Sequence, residues 1–182
     1  AHGLKTRGMR LSYRGSLRLK PLEEDQDLMV EWLDPQLAVD TTAFDAVLSI
    51  GNVPYVLGMA SASEIPPPLK LKVAPEMLKR VSERLSKCAA NHFIGVTWRA
   101  GTEQSDRLLY KEAPIQSLGE LLMELPGSII VLQRHPKPGE IERLAHYAGR
   151  EVYDFSEANK NLEEMLALLS LIHEYIGVSN TN

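Results

Sequence analysis

The spacing of apolar residues changes character along the chain. Between Pro75 and Leu85 it is helical: Leu78, Val81 and Leu85 share one face, and Pro75 suits a first helical turn. Beyond this helix the pattern alternates. A strand is expected at Phe93 to Thr97, a helix at Pro114 to Glu124, a strand at Ser128 to Leu132 and a helix at Pro138 to Ala148. A short strand at Glu151 to Tyr153, a helix at Leu162 to Glu174 and a strand at Tyr175 to Val178 complete the series. Strands separated by helices of about ten or more residues need crossover connections, which make the sheet parallel and cover its faces with helices. The second half therefore reads as α/β, a Rossmann-like parallel sheet with helices on both faces.

The first half has no such series. Asp27 to Leu33 is expected as a short helix and Phe44 to Ile50 as a strand ending at Gly51; the mixed segment Val53 to Met59 is broken by Pro54 and Gly58. Ile65-Pro66-Pro67-Pro68 suits neither a helix interior nor a central strand and is expected to run extended. Three regions follow: 1–64, a proline-rich connector with its helix at 65–91, and the alternating unit at 92–182. No repeat with a period of about 34 residues is visible, so the chain contains no tetratricopeptide array.

Composition narrows the function classes. The 182 residues are 44% hydrophobic and 24% charged, an ordinary globular balance, and 20 Lys+Arg against 24 Asp+Glu give a net charge of −4. That balance argues against nucleic acid as a partner, because no global cationic surface exists to displace counterions. The lone Cys88 forms no internal disulfide, which fits a reducing compartment. The longest apolar run, Met165 to Ile172, is interrupted by Ser170 and falls short of the roughly 20 residues of a bilayer span. The first residues have no apolar core of a signal peptide, and the missing initiator Met suggests a tag scar or an internal fragment. A cytoplasmic location is expected.

In open α/β sheets ligands bind beyond the carboxyl ends of the strands, so the loops there are the places to look for chemistry. Trp98 to Ser105 follows a buried strand and carries Arg99, Gly101 and Thr102, a composition that lets backbone amides approach a phosphate. Lys111 stands shortly before a helix start, and Gln133 and Arg134 follow the next strand. Taken singly, each also reads as an ordinary polar loop or a solvated side chain. Together, Arg99, Lys111 and Arg134 are three cations converging on one sheet edge.

Other chemistry has less support. No histidine lies i, i+4 from another and no HExxH occurs, so no metal site is expected; His146 and His173 read as helix side chains. No GxSxG elbow is present, and Cys88 reads as a small hydrophobe in the tail of a helix. The acidic runs Glu23-Glu24-Asp25 and Glu163-Glu164 read as solvated faces.

These loops also carry a resemblance. Phe93-Ile94-Gly95-Val96-Thr97-Trp98-Arg99-Ala100-Gly101 resembles the "GLVWAG" strand and loop of bacterial proteins that pair tetratricopeptide repeats with a two-lobed GT-B glycosyltransferase. Those proteins are related to O-linked N-acetylglucosamine transferase and similar to the heptosyltransferases. Leu109-Tyr110-Lys111-Glu112-Ala113-Pro114 resembles "LYKxxP", whose lysine contacts the donor diphosphate, and Leu132-Gln133-Arg134-His135-Pro136 is similar to "LLRFP" or "LQKG". Tyr175 to Asn182 resembles the "ISVDT" strand end, Phe44 to Pro54 the "FDxxxPLLSLP" close of the N-terminal lobe, and Ile65 to Pro68 the "IPAxxPY" connector. The ordered set covers about 17 to 182. Asn180 stands where the commoner pattern has Asp, and the chain includes neither the following His and glycine-rich helix start nor the N-lobe "EQGLGD" loop.

The resemblance implies the end of an N-lobe at 1–64, an interlobe connector, and an incomplete nucleotide-sugar lobe at 92–182. In such a transferase a sugar moves from a nucleotide-diphosphate donor to a protein or saccharide hydroxyl with no resident cofactor or metal. Lys111 and Arg134 would face the departing diphosphate, with Arg99 beside them. Gly101 and Thr102 would approach the phosphates, Gln133 would lie near the base or ribose, and Asn180 and Thr181 would line the cleft. The catalytic base is not identified, and this chain alone is expected to be inactive. The alternative is a degenerate transferase-like module that binds a nucleotide or protein partner without turnover. A Rossmann oxidoreductase fits poorly, since no strand leads into GxGxxG.

Overall fold

The computed structural model describes residues 8–21, 31–65, 71–100 and 111–178, which fall into two units, Ala1–Lys72 and Val73–Asn182. In the first unit, β1 (Ser12–Arg14) pairs in parallel with β2 (Glu31–Leu33), in a register that sets Tyr13 beside Trp32. Their rings meet edge to face at 4.9 Å. The expected helix at Asp27 to Leu33 is therefore corrected over its described part: Glu31 to Leu33 is strand, because the Tyr13–Trp32 contact and a ladder partner outweigh a one-turn helix. Residues 27–30 lie outside the described residues.

The strand expected at Phe44 to Ile50 is also absent; that stretch is irregular up to a single 3₁₀ turn at Ile50–Asn52. Its apolar residues Val47, Leu48 and Ile50 are exposed, and among the described residues no strand pairs with them. A one-turn helix, α1 (Val53–Val56), follows with Pro54 in its first turn, and Gly58 at φ +73° ends it. None of the unit's described residues is buried. Of the triple-proline connector only Ile65 lies within the described residues.

The second unit follows the alternation closely. It comprises α2 (Pro75–Leu85), β3 (Phe93–Thr97), β4 (Arg99–Ala100), β5 (Lys111–Glu112), α3 (Ile115–Met123) and β6 (Ser128–Val131). Then come α4 (Glu140–Ala148), β7 (Val152–Asp154), α5 (Leu162–Leu171) and β8 (Glu174–Gly177). Helix α2, grouped above with the connector, packs Val81 and Leu85 into this unit's core. Helix α5 stops three residues before Glu174 because the His173 N–H is taken by the Phe93 carbonyl at 3.0 Å, which starts the β8 ladder.

Four strands form one all-parallel sheet in the order β7-β6-β3-β8, with Phe93 opposite Ser128 and Gly95 opposite both Ile130 and Tyr175. Side chains alternate between two covered faces, as strands buried on both sides require. Ile94, Val96, Trp98, Ile129 and Val131 pack with Leu118, Leu122 and Leu144 of α3 and α4. Phe93, Ile130 and Leu132 pack on the other face with Val81, Leu85, Met165 and Leu168 of α2 and α5. Glu164, expected on a solvated face, instead receives Arg80 at 2.8 Å and also Arg84, joining α5 to α2. Glu23 to Asp25 lie outside the described residues.

The chain winds outward from β3 through β6 to β7, then returns to place β8 on the opposite side of β3. This reversal makes the carboxyl ends of β3 and β8 a topological switch point, where open α/β sheets form their crevice. The Tyr175 hydroxyl and Thr97 Oγ1 lie 2.7 Å apart there, and a Cβ on Gly177 would sit 2.9 Å from the Thr97 carbonyl oxygen.

Candidate functional site

The carboxyl edge of this sheet is built around the end of β3. After Thr97 the chain buries Trp98 completely and turns into a two-residue antiparallel hairpin, with Arg99 opposite Glu112 and Ala100 opposite Lys111. The Ala113 N–H closes the hairpin onto the Trp98 carbonyl at 2.7 Å.

Gln133, buried just beyond β6, bolts this hairpin to the sheet. Its Oε1 accepts the Trp98 and Arg99 N–H groups, each at 2.9 Å, and its Nε2 donates to the Arg99 carbonyl at 3.2 Å and the Arg134 carbonyl at 2.9 Å. The amide thus meets backbone on both sides. The structure places it in the scaffold beneath the edge.

Arg99 is equally engaged. Its Nη1 and Nη2 reach Glu140 Oε1 at 2.6 Å and Oε2 at 3.0 Å, Nη1 lies 3.4 Å from Glu112 Oε1, and Nη2 donates to the His135 carbonyl at 3.2 Å. Glu140 also accepts the Lys137 N–H at 2.7 Å, which ties the chain just before α4 to the helix's first residue. Burial pushes the Glu140 carboxyl up, but the Arg99 fork and the Lys137 N–H more than offset it and hold it below the ordinary carboxylate range. His135, whose carbonyl Arg99 grips, stands at φ +50°, in the left-handed region.

Lys111 and Arg134 differ from Arg99. Both are exposed and neither forms an ion pair among the described residues. The three cations read from sequence are thus brought to one edge in two roles: Arg99 charge-compensated and mostly buried, Lys111 and Arg134 open to solvent. Gly101, Thr102, Asn180 and Thr181 lie outside the described residues.

Sequence reasoning missed Glu140, Glu112 and His135. Glu140 carried one local signal, an acid directly after Pro138-Gly139 at a helix start, but its partner lies 41 residues earlier. His173, expected in a helix, precedes β8: its Nδ1 accepts the Phe93 N–H at 3.1 Å, and its ring lies 4.7 Å from that of His92 at the sheet's opposite, amino edge. His92 Nε2 is 2.8 Å from Glu174. Cys88 is half-buried; burial and the nearby Glu151 push its thiol up, away from nucleophilic use.

Among the described residues no group of three His, Cys, Asp or Glu is placed to hold a metal ion, and no helix is long and apolar enough to cross a membrane. What the edge offers chemically is a pair of solvent-facing cations on segments held by a buried scaffold, at the carboxyl ends of β3 and β6, beside the β3–β8 switch point. No protein-family model, curated protein or solved structure matches this chain.

Proposed function

We propose that the Val73–Asn182 unit is the nucleotide-sugar-binding lobe of a GT-B-type glycosyltransferase, transferring a sugar from a nucleoside diphosphate to a protein or saccharide hydroxyl. The observation that carries this reading is the pair Lys111 and Arg134, two exposed cations without ion pairs among the described residues, on adjoining segments of the sheet's carboxyl edge. In the reaction the acceptor oxygen bonds to the anomeric carbon as the bond to the diphosphate breaks, and the acceptor proton passes to a base outside the residues identified. Negative charge grows on the departing diphosphate, and two cations facing it stabilise that charge where it develops. Gly101 and Thr102 would add backbone and hydroxyl donors, and Asn180 and Thr181 would line the donor cleft. The alternative, a module that binds a nucleotide or protein partner without turnover, draws on the commitment of Arg99 and Gln133 to the scaffold, which leaves fewer groups to act on a substrate.

The test is steady-state kinetics with nucleotide sugars on a protein carrying both lobes, beside a thermal melt. Lys111→Ala is expected to lower kcat/KM about a hundredfold, as removal of one oxyanion-type donor does, with Tm unchanged. An unchanged kcat/KM would return Lys111 to the solvated surface. Binding of UDP without any transfer would favour the alternative.

A further inference from the structure

Resting on the nucleotide-diphosphate reading above, we propose that Arg99 is a positioning residue, which sets the separation of Lys111 and Arg134 and does not itself touch the ligand. The contacts its guanidinium makes with Glu112, His135 and Glu140 fall on segments that carry or support those cations. Glu112, 3.4 Å from Nη1, directly follows Lys111 in the hairpin. His135, whose carbonyl accepts from Nη2 at 3.2 Å, directly follows Arg134. Glu140 anchors the fork itself and is fixed in turn by the Lys137 N–H at 2.7 Å.

A planar guanidinium presents its donors at fixed angles, so one group holding three partners fixes their spacing in a way a lysine ammonium does not. Only 8% of the Arg99 side chain is exposed, and the Glu140 carboxylate already balances its charge, so Arg99 is poorly disposed to meet an incoming anion. The φ of +50° at His135 is a conformation that non-glycine residues seldom adopt, and it persists where surrounding contacts hold it. The Arg99 bond to the His135 carbonyl is one such contact, and it aims the stretch bearing Arg134.

The experiment measures UDP and pyrophosphate affinity of the 182-residue chain by calorimetry, for the wild type, Arg99→Lys, Lys111→Ala and the double variant. Arg99→Lys is expected to weaken UDP about tenfold in the wild-type background and about threefold in the Lys111→Ala background, where only the Arg134 stretch remains to be positioned, because neighbouring groups that act through one another are not additive. Glu112→Gln, at an exposed position, keeps the test available if Arg99→Lys does not fold; it is expected to weaken UDP about threefold, and only while Lys111 is present. Full multiplication of the Arg99 and Lys111 effects, or an unchanged affinity in Arg99→Lys, overturns the positioning role. If the wild type binds neither probe, the nucleotide reading fails instead. Hydrogen exchange then decides the Arg99 claim separately: the amides of Arg99, Ala113 and Lys137 should exchange about tenfold faster in Arg99→Lys than in Lys111→Ala. Equal exchange would overturn it.

Discussion

Arg99 grips Glu140 with both terminal nitrogens, at 2.6 and 3.0 Å, and less than a tenth of either side chain reaches solvent. Removing one partner of so buried a pair leaves the other's charge uncompensated, so Glu140→Gln is expected to destabilise the fold by about 3 kcal/mol at neutral pH. The pH dependence has a definite sign. The Glu140 carboxyl lies below its ordinary value of 4.5 in the folded state, so the unfolded chain takes up the proton more readily. The stabilisation is therefore complete above that ordinary value and is lost as pH falls through it towards the lower folded value. Chemical denaturation at pH 7 and pH 3 checks this: the gap between wild type and Glu140→Gln should narrow at pH 3.

Gly119 sits inside α3, where replacing glycine by alanine ordinarily gains about 1 kcal/mol of helix propensity. Here a Cβ would run into Tyr147 and lie 3.1 Å from the Ala148 backbone nitrogen on α4. The two helices meet at this glycine, so Gly119→Ala is expected to cost about 2 kcal/mol instead. A thermal melt showing a raised Tm would contradict the close approach.

Gln133→Ala is expected to cost about 3 kcal/mol, because the Trp98 and Arg99 N–H groups lose their acceptor in a buried setting. Its amides should report more than its melting point: exchange at Trp98 and Arg99 should quicken while that at Ile130, in the middle of β6, follows global unfolding.

The four parallel strands and the helices from Pro75 onward were legible because their signals are local, whereas the β4–β5 pair, read from sequence as loop, was not. β3 and β6 are apolar on both faces, and Pro75 marks a helix start that needs no distant partner. Phe44 to Ile50 carried the same apolar signal but has no strand partner among the described residues, and sequence patterning does not reveal whether a neighbour is there to pair with. Of the site, patterning located the edge and its cations, since the loops after strands are fixed by strand order. It did not separate Arg99 from Lys111 and Arg134. That difference depends on Glu112 and Glu140, 13 and 41 residues away, brought together only by the hairpin and the start of α4.

The central claim is that Lys111 and Arg134 together hold a diphosphate at the carboxyl edge of the sheet, and titration of the isotope-labelled chain with UDP, followed by amide chemical shifts, tests it most directly. The account predicts saturable changes at Arg99, Lys111, Glu112, Gln133, Arg134 and His135. Affinity should fall about tenfold in each of Lys111→Ala and Arg134→Ala, and further as salt is raised. Absence of saturable change, or changes gathered at the opposite edge around His92, His173 and Glu174, would contradict it.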